Sequence, residues 1–140
     1  MSTPAEGEQH PAYPAALATT YFAAWQEHDW ARMRAILADD VTFRGPLGRA
    51  DSAEECIAGL RAMARTLDYI DVRARLSDDM QVITWFDLHS TVAPPTPTAN
   101  WTRVRDGKIA SIRVAFDPRE MLAAPLTERT AVRAHGDVDP

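Results

Sequence analysis

The hydrophobic periodicity of this chain changes once, near Leu67, from a helical to a strand-like spacing. Before that point Leu17, Tyr21 and Trp25 recur four residues apart, which places them on one helical face. After it the pattern predicts strands at 67–76, 80–92, 100–104 and 108–116. Residues 93–97 include three prolines and are predicted to form a loop, because proline cannot donate to a sheet ladder. Helices followed by antiparallel strands predict an α+β fold.

Three predicted helices have local start signals. Pro14 suits the first turn of the first helix, which is predicted to end near His28. Asp29 is the predicted N-cap of a second helix at 30–37. Ser52 opens the third, and the glutamate three residues later completes a capping box.

A chain of 140 residues, 46% of them hydrophobic, is long enough for one domain with one core. We expect that domain at residues 13–122, between flexible tails at 1–12 and 123–140. The net charge of -5 argues against a nucleic-acid surface. No apolar run approaches the ~18 residues of a membrane span, and residues 1–10 lack a signal-peptide pattern, so we expect a cytoplasmic protein without membrane contact. The lone Cys56 excludes an internal disulfide, and no metal or cofactor motif is visible.

The segment from Tyr21 to Pro46 resembles the ketosteroid isomerase branch of the nuclear transport factor 2-like, or SnoaL-like, superfamily. The similarity rests on a tyrosine eight residues before the Asp29 cap and on the sequence Leu-Ala-Asp-Asp-Val-Thr-Phe-Arg-Gly-Pro at 37–46. The resemblance implies a cone-shaped roll, in which three N-terminal helices pack on a strongly curved antiparallel sheet around a pocket. Polyketide cyclases and limonene epoxide hydrolase are relatives in the same superfamily.

The resemblance also implies which side chains act in the pocket. Tyr21 falls on the oxyanion-hole tyrosine of the ketosteroid isomerases, and Asn100 falls where they carry a protonated aspartic acid. An amide N–H can donate to an oxyanion without a raised pKa. The proton-abstracting aspartate of these enzymes corresponds to Gly45, so the general base is missing. Tyr21 also has a simpler interpretation, as a helix-face aromatic whose hydroxyl lies at the edge of the core.

The chemistry of limonene epoxide hydrolase is not supported by the sequence. Phe86, Leu88 and Val114 occupy the positions of its acid–base trio. Phe43 and Gly45 replace its water-holding tyrosine and asparagine. No side chain at these positions can activate a water molecule.

The remaining pocket residues suit a flat hydrophobic ligand with a carbonyl or hydroxyl group. We predict a polyketide-, steroid- or terpenoid-like ligand, with Tyr21 and Asn100 as the catalytic donors. The predicted ligand-binding residues are Trp25, Phe43, Phe86, Leu88, Ser90, Thr102, Ile112, Val114 and Phe116. Two functions remain open: a SnoaL-like enzyme that polarises a carbonyl for cyclisation or isomerisation, and a non-catalytic ligand-binding or dimerisation module on the same scaffold.

The register of the last hairpin decides which side chains face this pocket. A two-residue loop would place Asn100 opposite Arg113, whereas a three-residue loop with a G1 bulge at Gly107 would place it opposite Ile112. We predict the bulge, because it directs Ile112, Val114 and Phe116 towards the helices and leaves Arg113 in solvent.

The opposite face of the sheet is predicted to form a homodimer interface. Its residues are Trp85, Asp87, His89, Trp101, Arg103, Ser111 and Arg113. Two tryptophans among charges of both signs are typical of an interface core with paired charges. Members of the resembled family often dimerise through this surface.

Other ionisable residues have structural interpretations beside catalytic ones. Asp87 and His89 lie on one strand face, ~7 Å apart, and form an acid–base pair only if they reach the pocket. Asp117, followed by a proline and by Glu120, has the signature of a helix start, although it could also stand at the pocket mouth.

Overall fold

The computed structural model describes residues 13–124. The tails predicted at 1–12 and 123–140 lie outside this range, except for residues 123 and 124. The helices are α1 (Pro14–Glu27), α2 (Trp30–Ile36), α3 (Ala53–Ala64) and the short α4 (Arg119–Leu122). The three predicted N-terminal helices are therefore confirmed. None of the helices in the described part of the chain has the length and hydropathy needed to cross a bilayer.

Two helix starts are held by the predicted side chains. The Asp29 carboxylate accepts a hydrogen bond from the backbone N–H of Arg32 at 3.1 Å, and the Ser52 hydroxyl accepts one from the N–H of Glu55 at 3.1 Å. The return bond of the capping box differs from the expected one. The Glu55 carboxylate accepts from the N–H of Asp51 at 2.8 Å, one residue before the cap. Both helix starts are therefore specified by hydrogen bonds between residues three or four positions apart in the sequence.

The strands form one six-stranded sheet in the order β2-β1-β6-β5-β4-β3. They are β1 (Leu37–Gly45), β2 (Gly48–Ala50), β3 (Leu67–Ser77), β4 (Gln81–Ser90), β5 (Thr96–Arg105) and β6 (Lys108–Ala115). The α+β class is confirmed. Neighbouring strands of this sheet are antiparallel except β1 and β6, which run parallel.

β5 begins earlier than predicted, because Thr96 and Pro97 belong to the strand and not to the preceding loop. Pro97 lies opposite Asp87 of β4. On its other side the pairing of β5 with β6 begins only at Ala99, opposite Ala115. A proline is tolerated there, since no strand flanks that side and needs its missing N–H.

The predicted register of the last hairpin is wrong. The loop has two residues, Asp106 (φ 54°) and Gly107 (φ 77°), and Arg105 lies opposite Lys108. The extra residue lies further along β6, where the register shifts between Ile109 and Ser111. As a result Asn100 pairs with Val114 and not with Ile112. The prediction was displaced by two residues, so the inward and outward faces of β6 remain as expected.

The core lies between the helices and the inner face of the sheet. Residues 82, 84, 86 and 88 of β4 and 96, 98, 100 and 102 of β5 are buried on that face. They pack with apolar side chains of the helices and of the central strands, among them Leu17, Phe22, Met33, Val41, Leu60, Ile109 and Ile112. On the outer face, 46% of Trp85 and 48% of Ile83 are exposed.

Candidate functional site

A cavity of about 270 Å³ lies between α1, α3 and the inner face of the sheet. Its lining is mostly apolar and comes from both helices, from β1, β2 and the turn between them, from strands β4 to β6 and from the residue that follows β6. The lining residues are Tyr21, Trp25, Phe43, Gly45, Pro46, Leu47, Gly48, Arg49, Ala50, Glu55, Gly59, Leu60, Ala62, Met63, Phe86, Leu88, Thr98, Asn100, Val114 and Phe116.

Two unpaired donors lie in the buried wall of this cavity. Tyr21 of α1 is 2% exposed, and its hydroxyl makes no hydrogen bond within residues 13–124. Asn100 of β5 is 3% exposed, and its Oδ1 accepts a hydrogen bond from the hydroxyl of Thr102 at 2.7 Å. That bond fixes the amide plane and leaves the Asn100 NH₂ group without an acceptor in the described part of the chain.

The other polar groups of the buried wall already have partners. The indole N–H of Trp25 donates to the carbonyl of Leu60 at 2.9 Å. The hydroxyl of Thr98 donates to the carbonyl of Thr96 at 2.9 Å. Of these four buried side chains in the cavity lining, Tyr21 and Asn100 therefore keep donors without a partner in the described part of the chain.

Burial keeps the Tyr21 hydroxyl protonated. Desolvation raises the pKa of Tyr21 well above its ordinary value of 10.0, and the nearby Cys56 raises it further. Burial also raises the pKa of the Cys56 thiol to about 12. At neutral pH both groups are uncharged, so Tyr21 acts as a hydrogen-bond donor and Cys56 is a poor nucleophile.

Gly45 has little room for a side chain. A Cβ atom at this position would lie 3.2 Å from Cε1 of Phe43 and 3.6 Å from Cβ of Val114. An aromatic edge and an aliphatic side chain thus surround the position at which the resemblance implies a base. No carboxylate lies at the deep end of the described cavity, because its acidic lining residue, Glu55, is exposed on α3.

The residues that form the mouth of the cavity were not predicted from the sequence. It is formed by the turn and short strand at 46–50 and by the α3 residues Glu55, Gly59, Ala62 and Met63. The segment 46–50 has no periodicity, and the face of α3 that reaches the cavity includes glycine and alanine. Arg49 is exposed there, and its guanidinium lies 3.8 Å from the Asp51 carboxylate.

Eight of the eleven predicted site residues line the cavity: Tyr21, Trp25, Phe43, Phe86, Leu88, Asn100, Val114 and Phe116. Ser90, Thr102 and Ile112 do not line it, contrary to the prediction. The hydroxyl of Ser90 accepts from the N–H of Val92 at the end of β4, and the hydroxyl of Thr102 donates to the side-chain oxygen of Asn100. Ile112 is fully buried between its strand neighbours.

The other ionisable candidates lie away from the cavity lining. Asp87 pairs with Asp71 across β3 and β4, and the ring of His89 stacks on Tyr69 at 4.1 Å. Asp117 accepts from the backbone and the guanidinium of Arg119, and these hydrogen bonds lower its pKa to about 2. The predicted helix start is displaced by one residue, because Pro118 is the N-cap of α4 and the helix begins at Arg119. Asp117 lies one residue before the cap and accepts from the first helical N–H. Among residues 13–124, no group of three acidic, histidine or cysteine side chains is arranged to hold a metal ion.

Three solved structures illustrate the similarity of the fold. A protein from Kribbella flavida has a TM-score of 0.73 at 23% identity, over 87% of this chain and 97% of that one. A limonene epoxide hydrolase-like epoxide hydrolase from M. tuberculosis has a TM-score of 0.64 at 20% identity, over 85% and 93%. A protein with a ketosteroid isomerase-like fold from Catenulispora acidiphila, in complex with trimethylamine, has a TM-score of 0.65 at 17% identity, over 79% and 92%.

No curated protein matches the sequence. The sequence model of the SnoaL-like domain matches residues 18–112, which include most of α1, all of α2 and α3, the strands from β1 to β5 and most of β6. The matched segment therefore carries both Tyr21 and Asn100 and most of the cavity wall. Since this match covers more than half of the sequence, the chain belongs to the SnoaL-like family.

Proposed function

We propose that this protein binds a flat, hydrophobic polyketide-, steroid- or terpenoid-like molecule and polarises its carbonyl for cyclisation or isomerisation. The observation that supports this proposal is the pair of buried donors, Tyr21 and Asn100, which line one cavity and lack acceptors in the described chain. Buried polar groups normally have partners, and an unsatisfied one costs about 1–3 kcal/mol. A ligand oxygen that accepts from both groups would remove this penalty.

The same donors favour an anionic transition state over a neutral ground state. Hydrogen bonds strengthen as negative charge develops on a carbonyl oxygen, and each preorganised donor contributes roughly 2.7–4 kcal/mol in a site that excludes water. The protonated state of Tyr21 is secured by its raised pKa. With Gly45 in place of a base, the protein would orient the substrate and polarise its carbonyl, and the proton that leaves carbon would pass to water. Its substrates would therefore have C–H groups already acidic enough to lose a proton without a side-chain base.

The size of the cavity limits how much of a ligand is enclosed. Its volume of about 270 Å³ lies near the lower end of the ~300–1,000 Å³ usual for ligand sites. We infer that the oxygen-bearing ring is enclosed beside Tyr21 and Asn100. The remainder of a larger ligand would extend past Leu47 and Met63 at the mouth.

The alternative is a non-catalytic ligand-binding module on the same scaffold. It is favoured by the absence of a carboxylate at the deep end of the described cavity, since Glu55 is exposed at the mouth. The two functions differ in turnover and not in binding. A module would bind carbonyl and phenolic compounds without converting them.

A double-mutant cycle tests the donor pair. The probe is 4-nitrophenolate, and binding is followed by the tryptophan fluorescence of the protein, to which the cavity residue Trp25 contributes. We expect Tyr21→Phe and Asn100→Ala each to weaken binding about tenfold, with effects that are not additive because both donors serve one oxygen. Tyr69→Phe, on a half-exposed tyrosine outside the cavity lining, is the matched control. If neither cavity variant changes the affinity, the oxyanion site is rejected.

A further inference from the structure

Arg75 is a partly desolvated cation without an ion pair in the described part of the chain. Its Nε donates to the hydroxyl oxygen of Thr84 at 3.0 Å, and its Nη1 donates to the hydroxyl of Thr19 at 3.2 Å. The guanidinium carbon lies 5.6 Å from the centre of the Phe22 ring. Burial lowers the pKa of Arg75, as expected when no carboxylate compensates the lost hydration. A charge held in this way acts on its surroundings with less screening than an exposed one.

The strand register connects Arg75 to the buried wall of the cavity. Arg75 lies opposite Thr84 across β3 and β4, and Thr84 lies opposite Asn100 across β4 and β5. Side chains that are directly opposite share a face, with Cβ atoms roughly 4.5–5.5 Å apart. Because the guanidinium leans towards Thr84, its charge lies within roughly 10 Å of the Asn100 amide, about two strand spacings away.

Thr84 and Asn100 both use their side-chain oxygens to accept hydrogen bonds, so their own donors have no partner in the described part of the chain. Thr84 is 1% exposed, and its oxygen accepts from Arg75, so its own O–H points elsewhere. That O–H has no acceptor within residues 13–124. Next to it is the unpaired NH₂ group of Asn100, whose Oδ1 is taken by Thr102. Thr84 and Arg75 do not line the cavity themselves, but donors and a positive charge behind its Asn100 wall create a potential that favours negative charge.

We propose that Arg75 is a positioning residue that, through Thr84, makes the Asn100 end of the cavity selective for a deprotonated oxygen, such as a phenolate or an enolate, over a neutral ether oxygen on the same ring. This inference rests on the proposed function of Tyr21 and Asn100. It specifies the ionisation state of the preferred ligand and assigns that preference to Arg75, which does not contact the ligand. Two unit charges ~10 Å apart at an effective dielectric constant of ~20 change an affinity by roughly tenfold. Partial exposure of the guanidinium reduces the expected effect to about three- to tenfold.

The test compares an anionic and a neutral probe on the same variants. The probes are 4-nitrophenolate and its methyl ether, 4-nitroanisole. We expect Arg75→Met to weaken phenolate binding three- to tenfold and to leave the ether unchanged. Arg75→Lys should restore most of the preference, and Thr84→Val should give an intermediate loss. The phenolate absorption band should shift less on binding to Arg75→Met than on binding to the unmodified protein.

Arg103→Met is the matched control. Arg103 is exposed on the outer face of the sheet and lies 5.6 Å from the ring centre of Trp101, so this change removes the same charge and a similar aromatic contact. It should alter neither affinity. Equal effects of Arg75→Met and Arg103→Met would mean that only net charge matters, and this would overturn the inference. A loss of both probes in Arg75→Met would show a packing role and would also overturn it.

The failure of this inference is distinguishable from that of the proposed function. If Tyr21→Phe weakens phenolate binding while folded Arg75→Met does not, the donor pair stands and the role of Arg75 is rejected. If the unmodified protein binds neither probe, or binds the ether better, the proposed function is rejected together with this inference. If Arg75→Met does not fold, Arg75→Gln gives the same comparison with hydrogen-bonding capacity retained.

Discussion

Gly45 and the ring of Phe43 compete for one space, since a Cβ atom on Gly45 would lie 3.2 Å from Cε1 of Phe43. This distance is tighter than ordinary van der Waals contact, and the neighbour that must yield is the end of a rotatable side chain. The backbone of Gly45 has no positive φ that would exclude other residues. A carboxylate can therefore be introduced at position 45 if Phe43 makes room.

We predict that the unmodified protein does not isomerise a 3-oxo-Δ5 steroid and that Gly45→Asp with Phe43→Ala does so detectably. The aspartate supplies the base, while Tyr21 and Asn100 stabilise the enolate. Gly45→Asp alone should lower the free energy of unfolding by about 1–3 kcal/mol, because the ring must move. The measurements are the appearance of the conjugated ketone by absorbance and urea unfolding.

Gly45→Asn with Phe43→Ala is the control for this experiment, since the amide has the same shape and cannot act as a base. Turnover by the unmodified protein would contradict the prediction, because the described cavity has no carboxylate at its deep end and Glu55 lies at the mouth. Equal turnover by the aspartate and asparagine variants would contradict the assignment of position 45.

Cys56 should make the protein sensitive to alkali. Its folded pKa is raised from 9.0 to about 12, so this thiol contributes stability that is complete below about pH 9 and is lost as the pH rises towards 12. Between pH 8 and pH 11 the loss should be about 2–3 kcal/mol. Cys56→Ala should destabilise the protein at pH 8, yet by about 2–3 kcal/mol less at pH 11. Urea unfolding at both pH values measures this, and a penalty independent of pH would contradict it.

Two glycine-to-alanine changes should have opposite signs. Gly107 has a φ of 77° in the last hairpin, where alanine costs about 1–2 kcal/mol. Gly59 lies inside α3, and no atom lies within 4 Å of a Cβ added there. Gly59→Ala should therefore stabilise the protein by about 0.5–1 kcal/mol. Melting temperatures of the two variants check both signs, and stabilisation by Gly107→Ala would contradict the turn geometry.

We propose a homodimer through the outer sheet face, with Trp85 and Trp101 in the contact. Arg103 and Arg113 lie on β5 and β6, while Asp71 and Asp87 lie on β3 and β4, so a two-fold axis would bring opposite charges together. Light scattering should give a dimer at micromolar concentration, and Trp85→Glu should convert it to a monomer. Leu122→Glu, at a similarly exposed apolar residue on α4, is the control. A monomeric unmodified protein would reject the interface.

The helices could be predicted because their start signals are local. The side chains of Asp29 and Ser52 bind N–H groups three residues later, so the relevant atoms are adjacent in the sequence. The position of Tyr21 on the buried face of α1 follows from the same helical spacing. The family resemblance then linked Tyr21 to Asn100, which no local pattern connects.

The hairpin register could not be predicted, because it depends on a bulge that the turn does not encode. With the two-residue loop alone, Asn100 would have faced Arg113 and the strand would have exposed its apolar side. The extra residue at Ala110 restores Ile112 and Val114 to the interior. The mouth residues at 46–50 were missed for a related reason. They belong to the hairpin of β1 and β2, and the place of that hairpin is set by the long-range pairing of β1 with β6.

The parallel pairing of β1 with β6 has a consequence for how the chain folds during synthesis. Leu37 lies beside Ile109, and the β1–β2 ribbon joins the sheet only through β6. Until Lys108–Ala115 has left the ribosome, that ribbon can pack on α3 but has no neighbouring strand in the sheet. Such a large loop closure slows folding, and the aromatic surface around Phe43 stays open to other chains meanwhile. A translational pause before β6 should therefore increase aggregation more than a pause after it.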